Sequence, residues 1–156
     1  MGYTSGYLAA RLRGEGWKVT GTRRTSDEDA IAFEDNEAVN SGLANATHIL
    51  SSVPPRKEGG DPVLEKYGDA IKAAPAKWVG YLSSTGVYGD TNGAWVDESA
   101  PIGSGRRKAR SEADMAWQKL REDMRIFRLP GIYGPGRSAI ERVRSGKARR
   151  IDLPNQ

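Results

Sequence analysis

The chain has 156 residues, 24 Lys and Arg against 20 Asp and Glu, a net charge of +4 and no cysteine. That length suits one domain with a core of its own, and the lack of cysteine excludes disulfides and thiolate metal sites and favours a reducing compartment. The one histidine, His48, lies in an apolar run, which excludes His-based metal clusters and a Ser-His-Asp triad; no apolar run nears the ~18 residues of a membrane span. The expectation is a soluble, cytoplasmic protein without metal or membrane contacts. Basic clusters at Arg106-Arg107-Lys108 and Lys147-Ala148-Arg149-Arg150 raise nucleic acid as a partner. Acidic residues are mixed throughout, and the aromatic interleaving of a single-strand binder is missing, so nucleic acid ranks below a small, phosphorylated or otherwise anionic molecule.

The chain opens with Gly2 and Gly6 and passes into a helical pattern in which Leu8, Ala9 and Leu12 share a face; Gly14 and Gly16 end it. Trp17 to Thr22 reads as a short strand. These are the helix and second strand of a βαβ unit, whose first strand is expected before Met1. In a G-x-G-x-x-G/A phosphate loop Gly2 holds the second glycine and Ser5 the third, small position, with Tyr3 and Thr4 between them. A flexible Gly-rich terminus is the plain alternative. The strand exit, Thr22-Arg23-Arg24-Thr25, lacks the acid that binds a ribose 2′-hydroxyl in NAD sites. Two guanidiniums suit a 2′-phosphate, so NADP is preferred, with NAD as the alternative.

Residues 26–45 carry an acidic patch (Asp27-Glu28-Asp29), a short apolar run (Ala30 to Phe33) and a short helix through Ala38, Val39 and Leu43. Ala46 to Pro55 is the next strand and its exit, where Ser51, Ser52 and Pro54 are placed to line a cofactor groove; His48 sits in the strand body and reads as a packed or edge residue. Asp61-Pro62 supplies an N-cap and a first-turn proline for a helix through Val63, Leu64, Tyr67, Ala70 and Ile71, closed by Pro75. The strand Lys77 to Ser84 begins apolar and ends in Ser83, Ser84 and Thr85. In open α/β sheets ligands sit outside the carboxyl ends of strands, so this is a place where hydroxyls meet a ligand. Residues 90–105 are irregular, with Trp95 and Val96 expected to anchor them. Lys108 to Arg121 is a helix with an Ala109, Ala113, Ala116, Trp117, Leu120 stripe. A strand from Arg125 to Leu129 runs into the Pro- and Gly-rich loop Pro130 to Arg137, and Ser138 caps a last helix, Ala139 to Ser145. The alternation implies an α/β fold, a Rossmann-like doubly wound parallel sheet with helices on both faces, in one domain over 1–156.

Two motifs carry a resemblance: Ser83-Ser84-Thr85-Gly86-Val87-Tyr88-Gly89-Asp90, and Arg128-Leu129-Pro130-Gly131-Ile132-Tyr133-Gly134-Pro135-Gly136, with the half fingerprint Gly2 to Gly6 in place. On these residues the chain resembles the extended short-chain dehydrogenase/reductase superfamily, as an atypical branch of the NAD(P)-dependent epimerase/dehydratase family. The resemblance implies a first strand before the glycine loop and a larger substrate region, of which 131–156 is the start. It also implies that Ser83, Pro130 and Gly131 line the cofactor site. The family's catalytic set is a serine with Tyr-x-x-x-Lys. Ser84 matches the serine, but Arg106 stands for the tyrosine and Arg110 for the lysine. A guanidinium stays protonated and is no general acid. Arg106 is left to bind an anion or stabilise negative charge, Arg110 to hold the ribose, and Tyr88 or Tyr133 to substitute as proton donor, against the plainer reading that each tyrosine is packed or makes loop contacts. The expected activity is that of an NADP-dependent oxidoreductase on a small carbonyl or hydroxyl substrate, in a monomer or a homo-oligomer. The alternative is a dinucleotide-binding protein or sensor without turnover.

Overall fold

The computed structural model describes residues 1–28, 30–103 and 108–149. In chain order the elements are α1 (Tyr3–Gly14), β1 (Gly21–Arg23), β2 (Ala30–Ala32), α2 (Asn36–Ala44), β3 (His48–Ser51), α3 (Pro62–Ala73), β4 (Trp78–Ser84), a 3₁₀ turn (Thr85–Tyr88), α4 (Lys108–Leu120), β5 (Met124–Leu129) and α5 (Ala139–Arg144). All strand pairs are parallel, and helices flank them, the Rossmann-like α/β architecture that the alternation of patterns implies.

Among the described residues the strands form two sheets instead of one, β1-β2 and β3-β4-β5. The apolar run Ala30 to Phe33, left unassigned by its sequence pattern, is the strand that pairs with β1, Thr22 opposite Ile31. The two sheets adjoin where Trp17, just before β1, packs edge-on against His48 at the start of β3, with ring centroids 5.0 Å apart. His48 is exposed at the amino end of its strand, the end opposite to where ligands sit in such sheets.

The core lies on one face of the three-stranded sheet. Val79 and Tyr81 of β4 meet Val63, Tyr67 and Ile71 of α3, Val39 of α2, and Ala113 and Trp117 of α4. In β4 the alternation is legible: Val79, Tyr81 and Ser83 are buried, while Trp78, Leu82 and Ser84 are partly exposed. Trp78 lies along its own strand over Gly80, where any side chain would collide with the indole.

Asp61 joins two helices. As the N-cap of α3 it accepts from the Val63 and Leu64 amides at 2.9 and 3.0 Å through Oδ1. Through Oδ2 it accepts from the Trp117 indole N–H at 2.9 Å, and Trp117 is stacked on Tyr81 at 5.0 Å and 10°. Arg121 seals the far end of α3, donating to the carbonyls of Ala74 and Ala76 at 2.9 and 3.1 Å while paired with Asp123. The sequence places both the Asp61 cap and the Ser138 cap correctly; the latter is a full capping box with Glu141.

Two expectations are corrected. Trp95 and Val96 do not anchor the 90–105 loop: both side chains are exposed, and the loop is held by local turns such as Ala94 N–H to the Thr91 carbonyl, 3.0 Å, and by the Arg128 guanidinium at the Glu98 carbonyl, 3.2 Å. On α4, Ala116 is exposed, and the buried face is Ser111, Ala113, Asp114 and Trp117. The helix is rotated toward two polar residues because a charged partner waits on β5.

Asp61→Ala removes a helix cap and strands a buried indole N–H, so urea unfolding should show a loss of about 2–4 kcal/mol. Burial pushes the Tyr81 phenol up to about 12, more than the nearby Arg110 pulls it down. The native state thus disfavours the phenolate. The contribution is intact below pH ~10, where the unfolded phenol is still neutral, and is lost as pH climbs toward the folded value. Unfolding curves from pH 9 to 12 should show a decline that Tyr81→Phe shows less steeply.

Candidate functional site

Parallel strands bring their carboxyl ends to one edge, and with them Ser51 at the end of β3 and Ser52 just after it, Ser83 and Ser84 at the end of β4, and Pro130 after β5. The amino end of α1 reaches the same region. Tyr3, its first residue, donates its hydroxyl to the Pro135 carbonyl at 2.9 Å, and the Arg137 guanidinium lies 4.7 Å over its ring. Gly134, at φ 154°, has to be glycine: a Cβ there would run into the Tyr3 hydroxyl. On the other side the Met1 amine donates to the Thr22 carbonyl of β1 at 2.7 Å. The start of α1 is thus held between the end of β1 and the 130–137 loop.

Gly2, the N-cap of α1, offers no side-chain cap, and a Cβ on it would meet nothing within 4 Å. The first-turn amides are therefore not blocked by a side chain. Among the described residues three buried hydroxyl oxygens have no hydrogen-bond partner: Ser111 on the packed face of α4, Ser5 in that first turn and Ser51 at the end of β3; the last two lie at ends where a ligand can reach. A buried polar group left unmatched costs about 1–3 kcal/mol, and phosphate or ribose oxygens are chemically suited to match both. These residues fit a nucleotide. Thr4 lies in the same turn, Ser52 is half-buried, and Pro54, Pro130 and Gly131 are exposed.

At the end of β1 the two arginines differ. Arg23 is ion-paired with Asp27, and Arg24 is exposed. Ser84 is half-buried and extended, and its Oγ accepts from the Gly86 amide at 3.2 Å, capping the 3₁₀ turn. A serine hydroxyl that accepts one bond still has its own proton to donate.

Three expected site residues lie differently. The Ser83 hydroxyl is turned into the interior, where it donates to the Asp114 carboxylate. Arg110 donates to the Tyr81 hydroxyl at 3.2 Å, against the core. Tyr88 is buried, and its hydroxyl accepts from Arg128 at 3.0 Å. Tyr133 is largely exposed. Arg106 lies outside the described residues, as do Asp29, Arg107 and Arg150.

What sequence reasoning missed is the pair Asp114 and Arg128. Asp114 is fully buried; Arg128 reaches it with Nε at 3.3 Å and Nη2 at 3.2 Å. The signal was available. An aspartate three residues before Trp117 falls on the same helix face as that tryptophan, and a buried aspartate needs a cation. Two surface clefts lie elsewhere, one of about 190 Å³ beside Val19, Thr20 and Ile31, another of about 550 Å³ around Leu120 to Asp123, near the amino ends of β4 and β5.

Known proteins of this shape can now be compared. No family model matches the chain. It is 28% identical over 163 residues to Protein YeeZ of Escherichia coli strain K12, and equally to that of strain O157:H7. The match takes in 88% of this chain and 58% of YeeZ, so the chain spans little more than half the length of these relatives. A solved structure of a functionally unknown conserved protein from Silicibacter pomeroyi DSS superimposes with a TM-score of 0.84 at 40% identity, over 99% of this chain and 58% of that one. A second, from Methylobacillus flagellatus and provisionally named an NAD-dependent epimerase/dehydratase, gives 0.68 at 25% identity, over 93% of this chain and 56% of that one. Its shape agrees with the superfamily that residues 83–90 and 128–136 resemble.

Asp114→Ala leaves the Arg128 guanidinium, itself mostly buried, without its carboxylate. Chemical denaturation should report a loss of about 3–5 kcal/mol, far more than for removing the exposed pair Arg11–Glu15.

Proposed function

We propose that the chain forms the nucleotide-binding core of an NADP-dependent oxidoreductase of the epimerase/dehydratase type, working on a small, anionic carbonyl or hydroxyl compound. The observation that supports this most is that two of the three partnerless buried hydroxyls among the described residues, Ser5 and Ser51, lie in the first turn of α1 and at the end of β3, the third being Ser111 on α4. The Methylobacillus flagellatus structure adds the nicotinamide nucleotide by likeness. In this reading Gly2, Tyr3, Thr4 and Ser5 receive the pyrophosphate at the helix start, and Thr22, Arg23 and Arg24 receive the 2′-phosphate. Ser51, Ser52, Pro54, Pro130 and Gly131 line the groove between them.

A nicotinamide nucleotide supplies or accepts the hydride. Ser84 orients the substrate oxygen, because its Oγ accepts from Gly86 and its hydroxyl keeps a proton to donate. With the Tyr88 hydroxyl buried and accepting from Arg128, the exposed Tyr133 is the tyrosine that this reading leaves as proton donor. Arg106 binds a carboxylate or phosphate of the substrate and offsets developing negative charge.

A dinucleotide sensor without turnover is the second reading. It is favoured by Arg110, which donates to the Tyr81 hydroxyl in the core where the family's lysine would hold the ribose.

NADPH fluorescence separates these. Replacing Arg23 and Arg24 by alanine should weaken NADPH about 10- to 100-fold while NADH changes little, since only NADPH carries the 2′-phosphate; equal losses would sink that assignment. With a panel of carbonyl acids, Ser84→Ala should slow NADPH oxidation about 100-fold at unchanged NADPH affinity. Binding without consumption of NADPH by any panel member leaves the sensor reading standing, and absence of binding removes both.

A further inference from the structure

Arg128 uses its guanidinium to join four segments. Nε and Nη2 bond the Asp114 carboxylate on α4 at 3.3 and 3.2 Å. Nη1 donates to the Tyr88 hydroxyl of the 3₁₀ turn at 3.0 Å and to the Glu98 carbonyl of the following loop at 3.2 Å. The guanidinium carbon also lies 5.0 Å over the Tyr88 ring. Asp114 accepts in addition from Ser83 at the end of β4 and from the Gln118 amide, 2.5 Å.

A buried ion pair is a poor device for stability alone, because apolar residues of the same volume often do as well. What a planar five-donor fork supplies is direction. Here the direction matters because the turn it grips begins at Ser84. Ser84 caps that turn at one end, and Tyr88 closes it at the other. Gly103 N–H donates to the Val87 carbonyl at 3.1 Å, so the loop returns to the same turn.

We propose that Arg128, held by Asp114, is a positioning residue: it fixes the 3₁₀ turn and the loop around Glu98 so that the Ser84 hydroxyl stays aimed at the substrate oxygen. This rests on the reading that Ser84 binds that oxygen. Arg128 itself does not touch the substrate.

The test uses the whole chain with NADPH as probe and two variants, Arg128→Lys, which keeps the charge and loses the fork, and Tyr88→Phe, which removes one hydroxyl and leaves the ion pair intact. Amide hydrogen exchange should quicken about tenfold over 85–88 and 96–100 in Arg128→Lys, and less in Tyr88→Phe, while α3 and β3 keep wild-type protection. NADPH affinity should hold within about twofold, and kcat for the panel compound that the wild type reduces should fall about tenfold or more with little change in KM. Unchanged exchange in the two segments in both variants overturns the proposal. So does exchange that rises evenly over the chain in both, the mark of a merely structural pair. If the wild type binds NADPH but reduces no panel compound, the proposed reaction fails, and positioning of Ser84 for it fails with it; localised exchange in the variants would then show that the clamp on the turn is real and that only its catalytic purpose was misread.

Discussion

The fold depends on one carboxylate. Asp61 is buried and divides its two oxygens between the first turn of α3 and the indole of Trp117 on α4. Through Trp117 the contact extends to Tyr81 in the middle of β4. Two helices and the central strand of the three-stranded sheet thereby share one polar anchor inside an apolar layer. A cap alone would set where α3 begins. The second oxygen also sets how α4 lies across the sheet, and so what α4 presents at the carboxyl ends of β4 and β5.

What α4 presents there is a charge. The buried face of this helix is half polar, with Ser111 and Asp114 beside Ala113 and Trp117. Asp114 tolerates burial because its neighbours satisfy it: Ser83, Gln118 and Arg128 all donate to it. The outcome is a rigid polar knot directly behind the two-serine end of β4. One serine is spent on the knot, and its neighbour, of opposite strand parity, is left facing outward. The alternation of a β-strand is enough to give adjacent, chemically identical residues these different tasks.

The start of α1 is organised on different terms. It carries no side-chain cap, and it is held by contacts at some distance in sequence, Tyr3 to Pro135 and Met1 to Thr22. In the 130–137 loop Gly134 allows the close approach of the Tyr3 side chain. The partnerless hydroxyl of Ser5 belongs to this turn, and that of Ser51 to the end of β3. The Asp114 carboxylate, by contrast, is matched by Ser83, Gln118 and Arg128, although Ser111 beside it on α4 also keeps a partnerless hydroxyl.

Local sequence determined much of this. Asp61-Pro62, Ser138 with Glu141, and the apolar-to-hydroxyl switch from Tyr81 to Ser84 name their own structures, because caps and strand ends are decided by a few adjacent residues. The parallel α/β alternation followed from the same short-range signals. The pairing of Ala30 to Ala32 with β1 was not legible, since three residues are too few to show a period. Nor was the exposure of Trp95, because a tryptophan in a Gly-rich loop looks like an anchor until no neighbour is found for it. At the candidate site, sequence reasoning singled out Ser84 only through the family resemblance, and it gave Ser83 to the cofactor and Arg110 to a ribose where the fold gives them to Asp114 and Tyr81. Those choices turn on which face of a strand meets which helix, and on an ion pair between residues fourteen apart in the chain. Only the packing of α4 on β4 and β5 brings those groups within hydrogen-bond reach.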